Sequence, residues 1–446
     1  MSAQDYSVNQ HLIESAWGLL GPEFLPNARR TRTLGLGASV RRFNDLAVPG
    51  LGGVWYGKQL LLATLGVAVA ENARSRGAKV QNIEVANAIE ALACGLAFQN
   101  KGWNNDARLR GHTKLQGNGD FRKVSFRQAR QRNFYVTQPM RMATVQALPA
   151  LGLVEPGSAR FNAFRCGAER RALIEKALGS YRPYNRAVIE HLTLWVLAQD
   201  DLVHSDPLRQ ALSPLNRLSD EAIPLLRERL IQGGSEPQED KTRRGDALAW
   251  VESLRKNRID RVTWERPPQE ISEKHWRDLR AGALFFEARE AAIAVLDAAE
   301  AHIGNQSDGQ FLSLKDPLPD SLVQPRERLS AAAKQYLDFN FVDDDEGARI
   351  FCQECVRGPA DILRELVRRD GHVLRLGEDK VKPGPAFRGS IAEVRAKDED
   401  QETLKAGGMS LPEGISYRVR NLYLLNLDMH GELDGWLAAD ADGGEA

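Results

Sequence analysis

Apolar residues recur at helical spacing along most of the chain. One stripe over positions 83–96 consists of Ile83, Ala86, Ile89, Leu92, Ala93 and Leu96, and Asn82 is placed to cap its start. A second stripe consists of Val188, Ile189, Leu192, Trp195 and Val196. Residues 272–303 form one long helical pattern, with Ser272 at its start and Gly304 at its end as favourable capping residues. Because few segments alternate as strands do, the pattern predicts a mainly α fold.

The same periodicity predicts further helices over 8–20, 54–76, 138–151, 167–178, 220–231, 327–338 and 359–369. The most apolar stretch, Gln59 to Ala70, is bounded by Lys58 and Glu71. A membrane-spanning helix needs about 20 apolar residues, so this shorter stretch is predicted to be a buried helix.

The compartment follows from the cysteines and the first residues. The start of the chain, MSAQDYSVNQ, has no basic stretch followed by an apolar one, so no secretory signal is expected. A long chain with only four cysteines and no secretory signal is typical of a cytoplasmic protein in which the cysteines stay reduced. We therefore expect a cytoplasmic protein that has no membrane contact.

Length and composition predict several globular domains. The chain has 446 residues, of which 42% are hydrophobic and 27% charged, as in ordinary soluble proteins. The polar stretch 233–246, GGSEPQEDKTRRGD, is predicted to be a linker. The expected domains are a basic helical domain over 1–133, a winged-helix-like and helical domain over 134–232, a domain with the long helix over 247–340, and a helical domain with a β-hairpin over 341–446.

The net charge of zero conceals an asymmetry. Residues 1–150 contain 19 Lys and Arg against 9 Asp and Glu, whereas residues 151–446 contain 41 against 51. A basic part of this kind suits a polyanionic partner, and the acidic part suits protein partners. Attraction between the two parts within one fold is the alternative. Arginine outnumbers lysine 45 to 15, a bias typical of GC-rich bacterial genomes.

The most basic segment, 101–133, contains nine Lys and Arg but only Asp106 and Asp120 as acids. If FRKVSFRQARQR is helical, Lys123, Arg127 and Arg130 share one stripe that can contact successive phosphates. The aromatic residues among the charges could stack on bases or anchor the helix. The glycine-rich stretch 111–120 is predicted to be a flexible loop. The candidate nucleic-acid-binding residues here are Arg108, Arg110, Lys114, Arg122, Lys123, Arg127, Arg130 and Arg132.

A winged-helix-like pattern follows directly. A predicted helix over 138–151 leads through a turn, EPGS, into a predicted strand over 160–167. In that arrangement Arg141 lies on the recognition helix, and Arg160 and Arg165 lie on the wing, so all three are further candidates for nucleic-acid contact. A second helix followed by a hairpin is predicted over 360–389. Such units also serve as protein–protein modules.

Common catalytic motifs are absent from the sequence. It contains no GxxxxGK[ST] loop, no GxSxG and no HExxH, and its glycine clusters near position 35 and over 50–53 lack the context of a dinucleotide site. Cys352 and Cys355 form a CxxC, but no second ligand pair accompanies it, so two structural thiols are the favoured interpretation. We expect neither a metal site nor a cofactor.

One spacing resembles the active site of metal-dependent nucleases. Asp370 followed by Glu378 and Lys380 matches an Asp…ExK arrangement, in which carboxylates hold Mg²⁺ and the lysine orients water. Here Glu378 falls in a predicted hairpin turn, which places it at a solvated tip. A solvated position is a poor one for a metal-binding carboxylate, so a metal-dependent nuclease is the least favoured hypothesis for this protein.

The sequence thus predicts a non-catalytic accessory or adaptor subunit of a multi-protein bacterial system for DNA processing or antiviral genome defence. It would bind DNA or RNA through its basic N-terminal part and other subunits through its acidic C-terminal part. The alternatives are a protein–protein scaffold that does not bind nucleic acid, and the metal-dependent nuclease.

Overall fold

The computed structural model describes residues 32–155, 160–199, 203–257, 262–306, 311–339, 345–389 and 411–442. These residues form 18 α-helices, four short 3-10 turns and one three-stranded sheet, which confirms the mainly α prediction. The helix predicted over 8–20 lies outside the described residues. In the described part of the chain, no helix is long and apolar enough to cross a membrane.

The helices, in chain order, are α1 (Gly37–Ala47), α2 (Gly57–Ser75), α3 (Asn82–Asn100), α4 (His112–Gln116), α5 (Phe126–Ala129), α6 (Arg141–Thr144), α7 (Ala147–Ala150), α8 (Ala172–Leu178), α9 (Val188–Val196), α10 (Asp206–Leu212), α11 (Ala222–Gln232), α12 (Gln238–Asn257), α13 (Glu273–Gly304), α14 (Asp320–Asp338), α15 (Glu346–Cys355), α16 (Pro359–Asp370), α17 (Tyr417–His430) and α18 (Leu433–Asp442). The strands are β1 (Leu312–Ser313), β2 (Leu374–Gly377) and β3 (Lys380–Pro383).

The chain divides into two units. The smaller unit contains 1–37, 288–334 and 350–395, and the larger unit contains 38–287, 335–349 and 396–446. The division falls inside helices α13, α14 and α15. The four-domain organisation expected from the sequence stays a prediction.

The core of the larger unit is built around α2 and α3. Helix α2 is apolar on every face and almost wholly buried, as predicted for the stretch 59–70, and α3, α6 and α9 pack against it. Gly66 of α2 has no room for a side chain, because a Cβ there would lie 2.6 Å from both Cα and Cβ of Ala86 in α3. The glycine therefore permits the close approach of these two helices.

The start of α3 differs from the prediction by one residue. Gln81 is the N-cap, and the Glu84 carboxylate accepts a hydrogen bond from its backbone N–H at 2.8 Å. Asn82 is the first helical residue. Its side-chain amide donates to the carbonyl oxygens of Phe161 and Phe164 at 3.0 and 2.8 Å, so it anchors a distant turn.

The long helix predicted over 272–303 is confirmed as α13. The Ser272 hydroxyl accepts a hydrogen bond from the backbone N–H of His275 at 3.3 Å, as expected of a residue at the N-terminus of a helix. At the other end, a Cβ on Gly304 would lie 2.1 Å from the carbonyl oxygen of Gly389, so this position has no space for a side chain.

The prediction of a linker over 233–246 is largely wrong, because helix α12 begins at Gln238. The polar composition of its first turns conceals two buried arginines. Arg243 lies 2.5 Å from the Asp278 carboxylate, and Arg244 lies 2.8 Å from that of Glu236. Paired charges replace apolar side chains on this buried face, and hydrophobic periodicity cannot detect such a helix.

The smaller unit contains the sheet, in the order β1-β3-β2, with both pairs antiparallel. Helix α16 packs on β2, and Leu376 is the register partner of Val381 across the β2–β3 hairpin. The helix and hairpin predicted over 360–389 are therefore confirmed as elements. Arg32, which is buried in this unit, pairs with Asp297 and lies 2.8 Å from the Glu300 carboxylate and 3.6 Å from that of Asp370.

Candidate nucleic-acid interface

The basic segment 101–133 folds into short elements that all contact α3. They are α4, a 3-10 turn over Phe121–Lys123, and α5. The chain is extended at Val124 and Ser125, and the Ser125 hydroxyl caps α5. The prediction of one helix with Lys123, Arg127 and Arg130 on a single stripe is therefore wrong, because Ser125 caps the start of a new helix after Lys123.

The glycine-rich stretch 111–120, predicted to be a loop, is partly helical. Its middle forms α4, and the Asn118 side chain donates to the carbonyl oxygen of Phe134 at 2.9 Å. The Asp120 carboxylate accepts from the backbone N–H of Arg122 at 3.0 Å and so caps the following turn. Local side-chain hydrogen bonds thus hold this part of the segment against its neighbours.

The aromatic residues in and directly after the segment anchor it. Trp103 is half-buried and stacks on the Phe98 ring of α3, with the ring centroids 5.5 Å apart. Phe121, Phe126, Phe134 and Tyr135 are buried in the core of the larger unit. A Cβ on Gly95 of α3 would lie 2.1 Å from the Phe121 ring, which shows how closely this ring packs on the helix. Of the two roles open to these residues from the sequence, the structure supports the anchoring one.

A buried carboxylate that sequence analysis missed holds the next stretch of chain to α3. Glu90 accepts hydrogen bonds from the Tyr135 hydroxyl at 2.9 Å and from the backbone N–H groups of Met140 and Arg141 at 2.6 and 3.1 Å. Burial raises the pKa of Glu90, and these three donors oppose that rise. In the sequence, an acidic residue within the apolar stretch that forms α3 was the feature that could have indicated this buried carboxylate.

Three of the candidate arginines are neutralised by acids. Arg108 is buried and lies 3.0 Å from Asp106 and 2.6 Å from Asp434. Burial favours the protonated form of Asp106, but hydrogen bonds from Arg108 and Lys101 outweigh it and lower its pKa to about 2. Arg108 is therefore a structural residue.

The other two paired arginines are exposed. Arg122 lies 2.9 Å from Asp120, and hydrogen bonds from its side chain and backbone lower the pKa of that acid to about 2. Arg130 lies 2.5 Å from Glu84 and over the ring of Phe126. A phosphate would have to compete with a carboxylate for either guanidinium.

Arg110 and Arg141 are half-buried. The Arg141 side chain donates to Asn87 Oδ1 at 2.5 Å and lies over the Phe161 ring, and burial lowers its pKa. The Arg141 side chain therefore bridges α3 and the 3-10 turn over Phe161–Ala163. Arg160 is exposed and follows the residues 156–159 that the structure does not describe.

Five candidate cations are exposed, and none of them has an ion pair or side-chain hydrogen bond to any described residue. We call them the unpaired cations: Lys114, Lys123, Arg127, Arg132 and Arg165. Lys114, Lys123 and Arg127 lie on the short elements that pack on α3, and Arg132 follows α5. Arg165 follows the 3-10 turn over Phe161–Ala163, which also contacts α3.

The winged-helix prediction over 138–167 is not confirmed. The expected recognition helix consists of two four-residue helices, α6 and α7, and the expected strand begins as a 3-10 turn. A backbone hydrogen bond from Glu155 N–H to the carbonyl oxygen of Arg165, at 2.8 Å, is strand-like, but the described residues add no second bond of this kind between the two segments. The anchoring of Phe161 and Phe164 by Asn82 explains why the chain turns here.

The CxxC cysteines are buried thiols on α15. Cys352 and Cys355 are both buried as thiols, and burial raises the pKa of Cys355 to about 12. Among the described residues, no group of three or more His, Cys, Asp or Glu could hold a metal ion. Their burial supports the interpretation of both cysteines as structural thiols.

Of the three nuclease-like residues, Asp370 is held by contacts within the fold. Asp370 is buried, pairs with Arg32 and accepts a hydrogen bond from the backbone N–H of Leu374 at 3.1 Å. Burial raises its pKa. Glu378 lies in the β2–β3 turn with a positive φ of 37°, where the sequence placed it. Asp370 therefore contributes to the fold of the smaller unit.

No protein-family model, curated protein sequence or solved structure matches this chain. The function is therefore inferred from the residues and contacts of the chain itself.

Proposed function

We propose that the protein binds nucleic acid, DNA or RNA, through the unpaired cations. The observation that carries the proposal is the exposure of five cations without a single acidic partner among the described residues. Each of them lies on, or within three residues after, a short element that packs on α3. Cations without internal partners are free to replace the counterions that surround phosphates. Binding of this kind depends on backbone charge and not on base sequence.

The buried aromatics make stacking on single-stranded bases a poor source of affinity for this segment. We therefore expect phosphate contacts to dominate, and affinity for duplex DNA to fall steeply with salt. If all five unpaired cations contact phosphates, log K should fall by about 4 to 5 for each unit of log salt.

We further propose that the protein acts as an accessory or adaptor subunit and that other chains supply catalysis. The acidic excess of residues 151–446 supports docking of protein subunits on that part of the chain. A role in bacterial DNA processing or genome defence is consistent with such a subunit. The alternative is a protein–protein scaffold that does not bind nucleic acid, and the following experiment distinguishes the two.

The test is a charge-reversal triple, Lys123→Glu, Arg127→Glu and Arg132→Glu. Arg132 is chosen rather than Arg130, because Arg130 already pairs with Glu84. At about 50 mM salt, fluorescence anisotropy should show binding of a labelled duplex by the wild type and none by the triple variant. Circular dichroism should be unchanged, because exposed charges contribute little to stability.

The matched control carries the same change in charge elsewhere. Arg41, Arg266 and Arg357 are exposed and lie outside positions 101–165, so their triple Glu variant should retain binding to the labelled duplex. Equal loss in both triples would assign the binding to overall charge. No binding by the wild type to either duplex or single strands would refute the proposal and favour the scaffold.

A further inference from the structure

A pocket of about 400 Å³ opens in the larger unit, away from any residue assigned a role above. It lies among the end of α7, the start of α8 and the end of α11. Leu153, Leu173 and Leu225 form its apolar wall, and the Gly233–Gly234 turn forms part of the other side. Small-molecule sites commonly have volumes from about 300 Å³ upward, so the pocket has room for more than a bare ion.

Two arginines line this pocket, whereas no Asp or Glu of the described residues does. The Arg170 guanidinium donates to the carbonyl oxygens of Gly152 and Val154 at 3.3 and 2.8 Å, which fixes its position without neutralising it. Arg229 is half-buried, and its side chain has no ion pair or hydrogen bond to any residue in the described ranges. Two guanidinium groups that no carboxylate neutralises are costly in a concave, partly apolar site.

A third arginine lies directly behind the pocket wall. Arg244 is fully buried, and its Nη2 has no hydrogen-bond partner within the described part of the chain. A Cβ on Gly233 would lie 2.3 Å from that Nη2 and 2.9 Å from the carbonyl oxygen of Ala150, so a side chain here would require the buried guanidinium and the backbone to shift. Gly233 also has a φ of +58°, which glycine adopts without strain.

Glu236, an acid beside the Gly233–Gly234 turn, is already engaged. The two Glu236 carboxylate oxygens accept hydrogen bonds from Arg244 at 2.8 Å and from the backbone N–H of Gly234 at 2.7 Å. The Glu236 carboxylate is thus taken up by Arg244 and the turn, whereas Arg170 and Arg229 line the pocket without an ion pair to any described acid. An anion is the ligand that this electrostatic arrangement favours.

We infer that this pocket binds a small phosphate monoester. The planar guanidinium groups of Arg170 and Arg229 suit the tetrahedral oxygens of a phosphate, to which arginine donates two hydrogen bonds at once. The leucine wall suits an uncharged, partly apolar body about as large as a nucleoside. None of the residues that carry this inference belongs to the unpaired cations, so it stands or fails independently of nucleic-acid binding.

The test uses AMP and inorganic phosphate as phosphate-bearing probes and adenosine as the phosphate-free probe. Isothermal titration calorimetry of the full chain at low salt should detect AMP or phosphate binding at probe concentrations up to about 10 mM, and no comparable binding of adenosine. Arg229→Ala should weaken that binding by about tenfold or more, because it removes charge-assisted hydrogen bonds. Arg229→Lys should restore part of it.

The control is Arg227→Ala on the same helix. Arg227 does not line the pocket and lies 4.0 Å from Glu252, so its loss should leave probe binding unchanged. Because the Arg229 side chain has no ion pair or hydrogen bond within the described ranges, Arg229→Ala should melt as the wild type does. Absence of binding by both phosphate-bearing probes, equal binding of adenosine, or full binding by Arg229→Ala would each overturn the inference.

Discussion

Arg243 of α12 and Asp278 of α13 form an ion pair of 2.5 Å in which both side chains are buried. Arg243 also donates to the carbonyl oxygen of Leu46 at 3.1 Å, so the guanidinium joins two helices and the end of α1. A buried pair of this kind stabilises the fold only while both partners are present. Without Asp278, the desolvated Arg243 keeps just the exposed Glu239 carboxylate, 3.2 Å away, as an ion-pair partner among the described residues.

We therefore expect Asp278→Asn to lower the free energy of unfolding by about 3–5 kcal/mol, measured by urea denaturation. Lys274→Ala is the control on the same helix. Its ion pair with Glu239 is exposed on both sides, so its loss should cost less than about 0.5 kcal/mol. Similar costs for the two variants would show that the buried pair contributes no more than a surface one.

His275 predicts a specific dependence of stability on pH. The buried ring has Nε2 2.9 Å from the carbonyl oxygen of Ala47, and burial lowers its pKa to about 4. Between pH 6.5 and pH 4 the unfolded chain binds a proton that the folded chain does not, so stability falls as pH falls through this window.

His275→Gln removes that titration while keeping a hydrogen-bond donor. Between about pH 7.5 and 4.5, the wild type should lose about 2–3 kcal/mol more of its free energy of unfolding than the variant does. The difference between the two proteins removes the contribution of other titrating groups to the pH dependence. One such group is Asp428, whose pKa is raised to about 6 by burial. Parallel pH profiles would contradict the assignment.

The close approach of α2 and α3 can be tested at Gly66. Gly66→Ala places a methyl group 2.6 Å from the backbone of Ala86, which cannot move aside as a flexible side chain can. We expect a loss of about 1–3 kcal/mol in unfolding free energy, measured by urea denaturation. A Cβ on Gly435 of α18 would have no described atom within 4 Å, so Gly435→Ala should instead stabilise by about 0.5–1 kcal/mol.

Individual unpaired cations should contribute separately to nucleic-acid affinity. Lys123→Ala and Arg127→Ala should each weaken binding to all sequences alike and reduce the salt slope by about one unit of log K per log salt. Arg122→Ala should have a smaller effect, because Arg122 already pairs with Asp120. The measurement is a salt titration followed by anisotropy. Equal slopes for all three variants would argue against phosphate contacts at these positions.

The four cysteines should be unreactive in the folded protein. All four are buried, and burial raises the pKa of Cys94, Cys166 and Cys355 to about 12. A thiol reagent such as DTNB at pH 8 should modify them at least about a hundredfold more slowly in the native chain than in denaturant. Rapid modification of Cys352 or Cys355 in the native protein would point instead to an accessible CxxC.

Hydrophobic periodicity by itself determined the mainly α fold and located several helices. The apolar pattern located α9, α13 and α16 by residues at helical spacing, and α2 by a continuous apolar run. The sequence also identified where basic residues are concentrated, since that depends on composition alone.

Only the tertiary structure decided which charges are available. Arg108 and Lys123 belong to the same basic segment, yet Arg108 is buried against Asp106 and Asp434, and Asp434 is 326 positions away in the chain. Likewise Arg243 and Arg244 made a buried helix resemble a linker. Arg243 pairs with Asp278 of α13, and Arg244 donates to the carbonyl oxygen of Pro49, and both partners are distant in the chain. Periodicity records the polarity of each residue but not its partner, and the partner determines whether a charge is structural or free to bind a ligand.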